Sequence, residues 1–266
     1  MNIVVCIKQV PGTTQVKINP ETGTLIRDGV EAVVNPFDEY AIEEAIRLKE
    51  KVGGKVIVVT MGPPQADAAL RTAISMGADE GILISDRAFA GSDTWATSYT
   101  LTAAIRKLIG ELGKVDIILC GKQAIDGDTA QVGPGVAEML DIPFVAWVRK
   151  IEEISDSSIK VERLMEDGYD VVQMPLPALI TVVKEINEPR LASLKGKMKA
   201  KSAEIRKFDT SNMEVDPERI GLKGSPTQVF RSFVPERKGG GEKIAGEAPE
   251  LAAKAASVIQ NLGVVK

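Results

Sequence analysis

The chain has 266 residues, 44% hydrophobic and 26% charged, with 33 basic against 37 acidic side chains, a net charge of −4 that calls for no nucleic-acid partner. Histidine is absent, which excludes Ser-His-Asp triads, Cys-His dyads, His-ligated zinc and imidazole proton relays. The two cysteines, Cys6 and Cys120, are too few for a cysteine-built zinc or iron–sulfur centre, and both sit in apolar runs as buried reduced thiols do.

Ile3 to Ile7 is a β-branched run that predicts a strand buried on both faces. Val16–Ile18 and Thr24–Ile26 flank NPETG and read as a small hairpin. Asp38 to Lys51 is helical, with Ile42, Ala45, Ile46 and Lys49 on one stripe. Further strands are expected at Val56–Met61, Ile82–Ile84, Ile117–Cys120 and Phe144–Val148. Helices are expected at Ala66–Met76, Trp95–Leu112 and Thr129–Leu140. Strands alternating with helices of this length predict a doubly wound, mostly parallel α/β sheet.

From Ile151 the pattern changes. Ser158–Arg163, Asp170–Met174 and Ala178–Val183 are strand-like without intervening helices, which predicts an antiparallel extension or edge. Pro175 and Pro177 separate the last two. The run Lys195, Lys197, Lys199, Lys201, Arg206 and Lys207 reads as a solvated basic surface. Ser211 to Gly246 is too polar and too rich in Pro and Gly to fold by itself. Leu251, Ala255, Val258 and Leu262 then mark an amphipathic helix between Pro249 and Gly263. The expected division is an α/β domain over 1–208 and a long C-terminal arm over 209–266 that either docks on another surface or packs back on its own core. No apolar run approaches the roughly 20 residues of a membrane span. MNIVVCIKQV reads as no signal peptide, so a cytoplasmic, reducing location is expected.

In a parallel α/β sheet, ligands bind beyond the carboxyl ends of the strands. Before the first helix, Asn35 is placed as N-cap, Pro36 at N1 and Asp38 at N3, reaching back as in a capping box. Phe37 is available either to stack on a planar ligand or to join the core. Gly121 to Gly135, GKQAIDGDTAQVGPG, is the most informative loop. Its glycines allow close backbone approach, and a helix start near Thr129 presents N–H groups to an anion. Asp128 is expected to cap that helix with Gln131 at N3. Asp126 and Asp128 would repel a phosphate if they faced it. The spacing fits neither the GxGxxG fingerprint nor a Walker A loop. Ser92, Asp93 or Thr94 caps the helix before Trp95. Together these loops predict a nucleotide-binding α/β domain without an assigned reaction.

VVCIKQVPGT, VVNPFDEYAIEEAIRLKE, MGADEGI, GKQAIDGDTAQVGP and VERLMEDGYDVVQMPLPALITV resemble the β subunit of electron-transfer flavoproteins. The last stretch carries the signature Arg163, Glu166, Asp167, Gly168, Pro177 and Thr181, and departs at Asp170, where Glu or Gln is usual. The resemblance continues through INEPRLASLKGKMKAK. It implies an α-subunit partner and an adenine nucleotide in the β subunit: AMP in ordinary members, a second FAD in the bifurcating branch. There the flavin accepts hydride from NADH and divides the electrons between the α-subunit FAD and a low-potential acceptor, ferredoxin or flavodoxin. GDTAQVGP and EDGYDVVQMPLPAL resemble that branch. Carried over, the nucleotide contacts fall on Cys6, Asn35, Phe37, Asp38, Met61 and the loop 121–132, including Gly121, Gln123, Asp126, Gly127, Asp128, Thr129, Ala130, Gln131 and Val132. The backbone of Thr129 to Val132 would cradle phosphates, and Cys6 and Met61 would wall the adenine. The Arg87–Thr94 loop, with Ser92, Asp93 and Thr94, would lie near the flavin or NADH. Leu194 matches a recognition loop that plugs a pocket on an acyl-CoA dehydrogenase-like or other flavin dehydrogenase. No catalytic side chain and no metal are implied. An ATP-binding stress-type module is the alternative reading of the fold.

Overall fold

Nine strands form one sheet in the order β11 (Gly168–Pro175), β10 (Ser158–Met165), β9 (Phe144–Ile154), β12 (Ala178–Val182), β8 (Ile117–Gly121), β1 (Asn2–Cys6), β6 (Lys55–Met61), β7 (Glu80–Ile84) and β13 (Arg206–Phe208). The computed structural model describes residues 1–12, 17–18, 25–26, 32–230, 239–241 and 243–263. The parallel strands are β1, β6, β7, β8, the first part of β9, β12 and β13. β9 continues into an antiparallel extension with β10 and β11. Two short antiparallel pairs precede the first helix: β2 (Gln9–Pro11) with β5 (Ala32–Val34), and β3 (Lys17–Ile18) with β4 (Leu25–Ile26). The second pair occupies the expected hairpin; Val16, Thr24 and the NPETG turn lie outside the described residues.

The central strands are buried on both faces because helices cover both. On one face, Ile3 and Val5 pack with Ile42, Ala45 and Ile46 of α1 (Pro36–Val52) and Leu70 and Ile74 of α2 (Asp67–Met76). On the other, Val4 and Ile118 pack with Ile105 and Leu108 of α3 (Thr94–Leu112) and Val136 of α4 (Val132–Leu140). The helix after β1 therefore lies on one face and the helix after β8 on the other. These two strands are neighbours, so the crevice beyond their carboxyl ends is the switch point of the sheet, where doubly wound folds bind ligands.

Three expectations change. Ala178–Val182 is not part of an antiparallel edge; it inserts between β8 and β9, parallel to both. Its all-apolar sequence is the mark of a strand covered on two faces. The basic stretch is not simply solvated. It forms α5 (Leu194–Ser202), which packs so closely on α2 that a Cβ at Gly196 would come within 2.1 Å of the Ser75 carbonyl oxygen. β13 then closes the far edge, with Arg206 paired to Glu80 at 2.7 Å and Glu111 at 2.7 Å. Finally, α4 begins at Val132, three residues after Thr129, with Gln131 before it and no side-chain cap.

Residues 209–227 lie against this domain. Met213 and Ile220 are buried in the α3 face, and Thr227 bonds Asp93. α6 (Ala248–Asn261) buries none of its residues. Among the described residues, no helix is long and apolar enough to cross a membrane.

Candidate nucleotide site

Cys6 and Cys120 are direct partners at the ends of β1 and β8, and both are buried beneath the switch-point crevice. A hydrogen bond with the Cys6 side chain, and then burial, push the Cys120 thiol well above the usual thiol range, which keeps it protonated and unreactive.

Above the cysteines, two side chains from the start of α1 tie the β1 and β8 loops together. Asp38 accepts the Lys8 N–H at 2.7 Å and the Gly121 N–H at 3.2 Å. Asn35, fully buried, donates from Nδ2 to the Gln123 carbonyl at 2.9 Å and accepts the Ile125 N–H at 3.1 Å. Neither makes the expected capping-box contact: Asn35 has no side-chain cap bond, although Pro36 does occupy the first turn. The polar groups that local spacing assigned to the helix end are spent on long-range loop contacts instead. Burial pushes the Asp38 carboxyl up to about 7, against its two N–H donors, the Asn35 side chain and the Lys8 charge, which pull it down. Phe37 joins neither core cluster; the Lys122 ammonium lies 4.9 Å from its ring centre.

The loop from Gly121 to Gln131 is shaped by close approach and by strained backbone. A Cβ at Gly121 would meet Asp38 Oδ1 at 2.4 Å and the Phe37 carbonyl carbon at 2.6 Å. A Cβ at Gly133 would lie 2.7 Å from the Thr181 methyl, and one at Gly135 would lie 2.5 Å from Ser98 Oγ. Asp128 and Ala130 hold left-handed conformations, φ 54° and 57°. Such outliers persist only where the surroundings impose them, and they cluster at binding sites. Asp128 does not cap α4. Its Oδ1 accepts from Gln123 Nε2, and its N–H donates to the Ala124 carbonyl at 2.8 Å. Asp126 is taken by Lys8 Nζ at 2.7 Å. One oxygen of each carboxylate is thus engaged, that of Asp128 within the loop and that of Asp126 across to Lys8. Among the described residues, the N–H groups of Thr129, Ala130, Gln131 and Val132 find no backbone acceptor. N–H groups without a backbone acceptor, beside left-handed residues at a helix start, are a donor set of the kind that can take an anion.

The structure thus brings Cys6, Asn35, Phe37, Asp38, Gly121, Gln123, Asp126, Gly127 and Asp128 to one corner, with Thr129 to Val132 continuing from it. Met61 ends β6, the next strand along. Ser92, Asp93 and Thr94 follow β7, one strand further. Asp93 caps α3 through the Trp95 and Ala96 N–H groups, at 2.9 and 3.1 Å, and its other oxygen accepts from Thr227, so both oxygens are engaged. Ser92 Oγ donates to the Phe89 carbonyl. Ser98 Oγ links the starts of α3 and α4, bonding the Thr94 carbonyl at 2.7 Å and the Val132 carbonyl at 3.3 Å. Lys8 was not among the expected site residues. Its position directly after the first strand was the available signal.

On the far side of α1, Arg190 pairs with Glu43 at 2.8 Å and Glu50 at 2.6 Å. This pins the segment leading to Leu191 and Leu194, which are 95% and 79% exposed. Thr181 of the signature stretch accepts the Trp147 N–H at 3.2 Å, beside the β9 irregularity where Trp147 has φ 60°.

The molecule is an open, doubly wound α/β sheet with N–H groups lacking a backbone acceptor beside its switch point. The electron transfer flavoprotein domain family matches residues 22–213. The chain is 52% identical to the electron transfer flavoprotein subunit beta of Thermoanaerobacterium thermosaccharolyticum, covering 94% of each chain. It is 53% identical to the caffeyl-CoA reductase-Etf complex subunit CarD of Acetobacterium woodii, covering 92% of each. Protein FixA of Azotobacter vinelandii is 50% identical over 89% of this chain and 85% of its own. The chain belongs to the electron transfer flavoprotein family, as a β subunit.

Proposed function

We propose that the corner between β1 and β8 holds FAD, and that the chain is the β subunit of a bifurcating electron-transfer flavoprotein. The observation that carries this reading is the cradle itself: uncommitted N–H groups from Thr129 to Val132, set by strained backbone and glycine-only approaches. GDTAQVGP and EDGYDVVQMPLPAL favour FAD over the AMP of ordinary members. A flavin bound here would supply the hydride and electron chemistry, with NADH as donor.

The protein's part is to bind and to position. Thr129 to Val132 take the phosphates by backbone, and Cys6 and Met61 form the apolar wall of the adenine. Asn35 and Asp38 keep the two loops in register through bonds to their backbone groups and remain among the residues expected to face the nucleotide. The absence of histidine is consistent with this division, because no side chain has to act as general base. The α subunit is the obligatory partner, and the exposed apolar stripe of α6 docks on it. Leu194 docks on an acyl-CoA dehydrogenase-like flavoprotein, a reading supported by the reductase named in the complex of the Acetobacterium relative. Ferredoxin or flavodoxin takes the low-potential electron, in a reducing cytoplasm.

The test is nucleotide extraction from the purified α–β complex. Two FAD per heterodimer supports the proposal. One FAD with one AMP returns the chain to the ordinary class. Absence of any adenine nucleotide refutes both.

A further inference from the structure

Lys8 and Asp126 lie 118 positions apart and meet across the corner, Nζ to Oδ1 at 2.7 Å. Each stands on a fixed base. The Lys8 N–H is held by Asp38 at 2.7 Å, and the residue before Asp126 is held by Asn35 at 3.1 Å. The ammonium also lies along the loop, since a Cβ at Gly127 would come 4.0 Å from Nζ. Both side chains stay open to water, 48% and 31% exposed, so the pair is screened and weak. The pyrophosphate of FAD, with one negative charge on each of its two phosphates, and the monoester of AMP, at roughly −1.5 to −2 at neutral pH, both carry more charge than one carboxylate and compete well for an ammonium so placed.

We propose that Lys8 binds the phosphate of the nucleotide, and that Asp126 is the competing partner that sets how tightly the nucleotide is held. The inference rests on the reading of this corner as a nucleotide site. Lys8 attracts the anion from the β1 side, the four N–H groups attract it from the α4 side, and Asp126 opposes both. The two residues of one ion pair therefore act on the ligand with opposite sign.

That sign is the test. The α–β complex is prepared as wild type, Lys8→Met, Lys8→Arg and Asp126→Asn, and the release of bound AMP or FAD is timed after dilution. Lys8→Met is expected to speed release about ten-fold or more and to flatten its salt dependence. Asp126→Asn is expected to slow release, because Lys8 is freed and a repelling charge is removed. Lys8→Arg keeps the charge and is expected to stay near wild type, even if Lys8→Met yields no folded complex. If the pair only staples two loops, Lys8→Met and Asp126→Asn break the same bond and both speed release; that result, or no change in either, overturns the role of Lys8 and leaves the nucleotide site standing. A wild-type complex holding neither AMP nor FAD overturns the site reading itself.

Discussion

Asp38 and Gly121 are 83 positions apart, yet the Gly121 N–H donates to the Asp38 carboxylate at 3.2 Å. The same approach leaves no room for a side chain, because a Cβ at Gly121 would sit 2.4 Å from that oxygen. Gly121→Ala must push the start of α1 away from β8. It is expected to cost about 1–3 kcal/mol, the price of overpacking, and to deplete the bound nucleotide. Urea unfolding and nucleotide extraction check both; a variant with wild-type midpoint and content would disprove the account of this corner.

The raised Asp38 pKa sets a pH dependence. Between its ordinary value of 3.8 and about 7, the folded chain binds a proton that the unfolded chain releases. The stabilisation associated with that proton is complete below 3.8 and is lost as pH rises through about 7. Wild type is therefore expected to lose stability across this window more steeply than Asp38→Asn, by up to about 1.4 kcal/mol per pH unit. Urea midpoints at several pH values give the two slopes, and parallel slopes would show that Asp38 does not titrate there.

Ala130 occupies the left-handed region without being glycine. Ala130→Val places a β-branched side chain at φ 57°, where it is strongly disfavoured. The variant is expected to lose about 1–2 kcal/mol or to reshape the loop, and in either case to lose nucleotide. Retained nucleotide at wild-type stoichiometry would show that the phosphates lie elsewhere.

Leu194 makes the opposite case, since so exposed a side chain contributes little to its own fold. Leu194→Ala is expected to leave thermal stability and nucleotide content unchanged while weakening electron transfer to the partner dehydrogenase. The loss expected for one buried leucine is about 1.5–3 kcal/mol, roughly ten-fold or more in affinity. Loss of flavin instead would make the segment structural.

Ending the chain before Ala248 removes a helix with no fully buried residue. Stability of the isolated subunit is expected to change by less than about 0.5 kcal/mol, while assembly with the α subunit weakens. Sedimentation of mixed subunits reads the second effect, and undiminished assembly would assign α6 another purpose.

The alternation of apolar runs and helical stripes made the parallel core legible, because both periodicities are local. Placing Ala178–Val182 required knowing that β8 and β9 leave a gap between them, which no window of sequence contains. The same holds for Asn35 and Asp38. Spacing near a proline suggests a cap, but their partners are 30 to 90 residues away and the long-range bonds prevail. α5 was hidden because its lysines mask a single buried residue, Ala200, and a close contact at Gly196. The β8 loop was recognisable by its glycines, whereas the left-handed turn at Ala130 leaves no compositional trace.

The central position of β12 has a consequence for biosynthesis. Until the ribosome has passed residue 182, β8 has β1 on one side and an open row of N–H and C=O groups on the other. A nascent polypeptide halted near residue 150 would expose that apolar margin to its neighbours, which invites intermolecular pairing. Chaperone demand for this subunit should thus peak late in translation and fall abruptly once the returning strand slots home.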